Sequence, residues 1–216
     1  FGSWKATEAY TRIPVPFQPV EVKTAAFETP DKKMAFFGTG TVFKLKQSDA
    51  DYAAMTLADY MLGGGFLNGR VPQRLREKEG LSYGAGTFMK AGTHDDFGAL
   101  LGYAIFAPQN VGKIEKGFTE EVALAVEKGF TDAELSLARE GMLKDRQASR
   151  AEDESLVGML LQQLDLGRTM AFEQALDEQL GKLTSAQVNA TLKKYVDPKR
   201  FSAVKAGDFK TVAAPK

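Results

Sequence analysis

Cysteine is absent from the 216 residues, and histidine and tryptophan occur once each. The first absence excludes disulfides and thiolate zinc sites, and the single His94 excludes a histidine-based metal triad or a convincing Ser/His/Asp set. Net charge is lacking too, since 28 basic residues balance 28 acidic ones. A chain without basic excess or basic stripe is a poor nucleic-acid binder. No apolar run is long enough to span a bilayer as a helix: the longest, GALLGYAIFA at 98–107, reads as a buried strand, so no membrane insertion is expected. What remains is an ordinary globular composition, 44% hydrophobic and 26% charged, long enough to bury a substantial core.

The chain opens on Phe1 without a signal-like segment, which predicts a piece of a longer polypeptide. Pro14, Pro16 and Pro19 favour an extended path, so residues 1–20 read as an interdomain linker and 21–216 as the domain. Val, Phe and Thr enrich 22–29 and 34–46 around the turn TPDKK, predicting two strands of a meander. A helix is expected over SDADYAAMTLADYMLGGG, its glycines supplying positive φ at a tight corner, and a short one from about 71 to 79 ending at Gly80. Strands at 82–91 and 97–107 follow, joined by GTHDD, where His94, Asp95 and Asp96 form a solvated turn. Helices are expected at 111–128, 131–166, 172–181 and 185–196, and a last strand at 201–209. Strands in pairs and helices in runs predict an α+β fold, a mainly antiparallel sheet with helices packed on one face.

LGGGFLNGR follows a helix and lacks a GK[ST] ending, so it is no phosphate loop. The run LKDRQASRAEDES reads as a solvent-facing surface with local ion pairs. Apolar spacing through LVGMLLQQL marks core or interface, and predicts that the isolated chain self-associates through surface normally covered. RLREKEGLSY is the most informative stretch. Arg76 and Glu79 are spaced to pair, and Arg70 and Arg74 to stack, on the helix. Gly80 ends that helix, Leu81 can anchor, and Arg76 and Tyr83 can then present two donors to a peptide carbonyl or an oxyanion.

FGSWK, ETPDK at 28–32, LGGGFLNGRVPQRLREKEGLSYGAG at 62–86 and the closing AGDF together resemble the M16 metallopeptidases, the family of insulin-degrading enzyme, pitrilysin and the mitochondrial processing peptidase. The resemblance implies the family's C-terminal, substrate-binding domain, with Arg76 and Tyr83 matching its arginine and tyrosine. It also implies an N-terminal lobe, of the same polypeptide or of a partner subunit, that carries H-x-x-E-H and zinc and acts with this domain on a peptide. H-x-x-E-H is absent from this sequence, so no metal ligands and no independent activity are expected of the chain. An alternative implied by the same family is a noncatalytic scaffold, as in core subunits of a respiratory complex. The sequence assigns neither compartment nor substrate.

Overall fold

A computed structural model describes residues 2–65 and 68–210. Residues 2–20 carry no helix or strand, and the first strand, β1, is Thr24–Glu28. It is followed by β2 (Ala35–Phe43), α1 (Tyr52–Asp59) and a π-helical continuation, Tyr60–Gly64. After the corner comes α2 (Arg70–Pro72), which passes into a second π-helical stretch, Gln73–Lys78. β3 (Ser82–Ala91) and β4 (Gly98–Phe106) form a hairpin. Helices α3 (Val111–Lys128), α4 (Asp132–Ala151), α5 (Asp153–Asp165), α6 (Ala171–Lys182) and α7 (Ser185–Tyr195) precede the last strand, β5 (Ser202–Gly207).

The five strands form one sheet in the order β1-β5-β2-β4-β3. Only the β1–β5 pair is parallel, so the mainly antiparallel α+β expectation holds. The meander does not: β5, from the far end of the chain, inserts between β1 and β2. Local composition around TPDKK carries no record of that long-range pairing.

Alternation along β2 sorts its side chains, with Ala35, Phe37, Thr39, Thr41 and Phe43 buried under the helices and Phe36 on the other face. Phe37 meets Phe118 of α3 edge to face, at 5.8 Å between ring centroids. A single core joins these residues to Met55, Leu62, Leu75, Ile114, Leu180 and Leu192. Thr131 with Glu134, and Thr184 with Gln187, form capping boxes that start α4 and α7.

Several local expectations change. The expected helix over 131–166 is two helices, because Glu152 takes extended backbone (φ −93°, ψ 125°) between α4 and α5. The charged run is only partly a set of local pairs. Lys144 pairs with Glu140 one turn away at 2.6 Å, but Arg146 reaches Glu173 and Asp177, and Arg150 reaches Asp177, all on α6. The glycines at the corner do not serve by positive φ, which among described glycines occurs at 80, 129 and 167. They permit close approach: a Cβ on Gly63 would lie 2.7 Å from the backbone nitrogen of Thr87. The expected FL of that corner, residues 66 and 67, lies outside the described residues.

Candidate functional site

The segment Arg70–Lys78, which leads through Gly80 into β3, carries three arginines, and the structure separates their roles. Arg70 donates to both carboxylate oxygens of Glu134, at 2.6 and 2.9 Å, and to the carbonyl of Gly129 at 2.8 Å. The pair holds the Glu134 carboxyl down at about 2, mainly through that hydrogen bond. Arg74 donates to Glu79 at 2.9 Å, Glu120 at 2.5 Å and Glu121 at 3.2 Å. These bonds staple the segment to α3 and α4. The expected Arg70/Arg74 stack and Arg76–Glu79 pair are therefore not formed.

The reason is the π-helical turn. Glu79 N–H donates to the carbonyl of Arg74 at 3.0 Å, a five-residue bond, and in that geometry the side chains of Arg74 and Glu79 become neighbours. Arg76 instead approaches Glu77 at 3.5 Å. Its side chain is 39% exposed, against 17% for Arg70 and 23% for Arg74. Two arginines hold the frame, and the third is the most exposed of the three.

Gly80, at φ +60°, closes the turn, and Leu81 folds back as the sequence suggests. Its N–H donates to Leu75 at 2.8 Å, its carbonyl accepts from Asn110 Nδ2 at 3.0 Å, and its side chain is buried. β3 then begins with an irregularity: Ser82 stands opposite Phe106 and Gly84 opposite Ile105, which leaves Tyr83 as the extra residue of a bulge. β3 is an edge strand, and Tyr83 is 66% exposed. Its hydroxyl has no hydrogen-bond partner among the described residues. Arg76 and Tyr83 thus lie at the two ends of one pinned connection, both reaching solvent.

Asp59, at the end of α1, is not among the residues that the sequence motifs single out. Its carboxylate accepts from Thr87 Oγ1 at 2.7 Å and from the Met89 N–H at 3.0 Å, fastening the outer edge of β3 to the π turn. Burial raises its pKa to about 6 against those two bonds. A lone acid inside the apolar run LADYML was the available signal.

The helix-free face of the sheet is apolar and hollow. A groove of about 460 Å³ is lined by Phe36, Val42, Phe88, Leu101, Tyr103 and Val204 among others, and neither Arg76 nor Tyr83 lines it. At the β3–β4 turn His94 is exposed, while Asp95 is held by Arg12 (2.6 and 2.8 Å) and Asp96 by Lys46 (2.9 Å). No group of three or more His, Asp or Glu among the described residues is arranged to hold a metal ion. No helix is long and apolar enough to cross a membrane among those residues.

Over residues 1–142 the sequence matches the family described as the peptidase M16 inactive domain. It is 28% identical over 184 residues to a non-peptidase homolog, YmxG, from Helicobacter pylori, covering 79% of this chain and 41% of that protein. It is also 28% identical over 158 residues to an uncharacterized zinc protease from Mycobacterium leprae, covering 72% of this chain and 34% of that one. The chain therefore spans less than half the length of these relatives. The crystal structure of a peptidase M16 inactive domain from Pseudomonas fluorescens shares the fold, with a TM-score of 0.78 and 24% identity over 92% of this chain and 46% of that one.

Proposed function

The chain belongs to the family of the peptidase M16 inactive domain, and from that premise we propose that Arg76 and Tyr83 hold a peptide substrate for hydrolysis completed by another lobe. As an inactive-type domain of zinc protease-like proteins, it pairs in this reading with an H-x-x-E-H lobe of the same polypeptide or of a partner subunit. Zinc held there would polarise the scissile carbonyl and activate water. The residues described here do not fit a metal, so no step of that chemistry is assigned to them.

The observation that carries the reading is the contrast within 70–83. Arg70 and Arg74 are tied to glutamates and mostly covered, whereas Arg76, beside Glu77, is 39% exposed and the bulged Tyr83 66% exposed, on a backbone pinned at Gly80 and Leu81. A guanidinium offers several N–H donors to peptide carbonyls already present in the ground state. A phenol held on an edge strand can donate to the oxygen on which negative charge develops in the tetrahedral intermediate, at little reorganisation cost.

Kinetics of the full-length parent separate the two roles. Arg76→Ala should raise KM for a peptide and lower kcat/KM by about 10²-fold, the signature of a contact made before and during the reaction. Parental kcat and KM in that variant would remove Arg76 from the site. A noncatalytic scaffold or partner-subunit role is the second reading, favoured by the relative named a non-peptidase homolog. It gains if the coding sequence upstream of Phe1 encodes no H-x-x-E-H and no partner subunit supplies one.

A further inference from the structure

Helix α5 is built inside out. Its one buried residue is polar, Gln163, which donates to Glu173 at 2.8 Å. Its large apolar residues face solvent: Val157 is 54% exposed, Leu160 46%, Leu161 61% and Leu164 76%. The spacing i, i+3, i+4, i+7 puts all four on one stripe. A contiguous exposed apolar stripe of this kind marks a surface that something covers.

The charge around the stripe narrows what covers it. Asp153 and Glu154 precede Val157 by four and three residues, and Asp165 follows Leu161 by four, so the acids flank the stripe at both ends. No basic residue occurs between 151 and 167. Arg150 and Arg168, just outside, are engaged by Asp177 and by Gln47 and Thr93. None of the three flanking acids has an ion-pair partner among the described residues. Asp153 and Glu154 favour the helix dipole, but Asp165 in the last turn opposes it, so helix stability does not explain the set.

A second copy fits this surface poorly. Parallel pairing of two α5 stripes would set Asp153 against Asp153, and antiparallel pairing would set Asp153 and Glu154 against Asp165. We propose that α5 is the docking face for the missing lobe of the parent, and that it receives there an apolar helix flanked by lysine or arginine. The proposal rests on the reading above only in requiring such a lobe, and the length supports one, since this chain covers 41% and 34% of its two curated relatives.

Hydrogen exchange tests it without reference to hydrolysis. Amides of 157–164 should exchange at least about ten-fold more slowly in the full-length parent than in this chain alone, through burial in the parent. Asp165→Lys provides opposed signs. In the isolated chain it should leave the melting temperature unchanged or raise it, because a cation suits a helix C-terminus. In the parent it should return α5 exchange toward the isolated rate, by setting like charges together at the docking face. Equal exchange in parent and isolated chain overturns the proposal. So does a concentration-dependent dimer of the full-length parent, seen by light scattering and dissolved by Leu161→Glu, which would assign the stripe to a second copy. Failure of the catalytic reading alone would change turnover results while leaving α5 protected in the parent.

Discussion

At Asp59 a carboxyl group held at about 6 makes stability depend on pH in a direction opposite to that of the ion-paired acids. Between its ordinary value of 3.8 and about 6, the folded chain holds a proton that the unfolded chain has lost. Stability contributed by this site therefore declines as pH rises through that window and is level above it. Glu134, held at about 2 by Arg70, works the other way, its contribution being lost as pH falls below the ordinary glutamate range toward 2. Asp59→Asn cannot ionise, so comparison with the parent sequence isolates the first effect. We expect the unfolding free energy of wild type, relative to Asp59→Asn, to fall between about pH 4 and 6.5 by up to about 3 kcal/mol, since each pH unit between the unfolded and folded values is worth about 1.36 kcal/mol. Denaturant curves that stay parallel across this range would show that Asp59 is not the buried acid inferred here. An aspartate amid LADYML signalled a burdened group, but its partners Thr87 and Met89 lie across the fold and leave no mark on the local sequence.

Among the elements, the connection from α2 to β3 does most to shape the site. Gly80 stands at φ +60° with open space around the position of a Cβ, so a larger residue there meets backbone strain and no clash. Gly80→Ala should lower stability by about 1 kcal/mol, and Gly80→Asn by less, because asparagine tolerates the left-handed region. Equal stability for all three in chemical denaturation would contradict the turn geometry. The start and stop of this connection were legible in RLREKEGLSY, because helix-ending glycine and strand-forming residues are local signals. The π turn was not legible. It exchanged the expected Arg76–Glu79 pair for Arg74–Glu79, and in doing so turned Arg74 into a staple. Likewise, the period of LVGMLLQQL announced an apolar stripe but not which way it faced, and the break at Glu152 carries neither glycine nor proline.

Across the whole molecule, helices cover one face of the sheet while the other is an open apolar hollow, and the edge strand β3 carries Tyr83 at its bulge. A domain with this core can fold alone, yet in the proposed division of labour it depends on another lobe for its metal. Dialysed samples of the chain should therefore hold well under one zinc per molecule, and about one tightly bound zinc by metal analysis would sink that division. The most direct measurement is turnover of a peptide by the full-length parent carrying Tyr83→Phe. The substitution keeps the ring and removes a single donor, so kcat should fall by about 10²- to 10³-fold, roughly 3 to 4 kcal/mol, with the melting temperature unchanged. Parental turnover in a stably folded Tyr83→Phe enzyme would contradict the account, because the tyrosine would then have no part in the reaction.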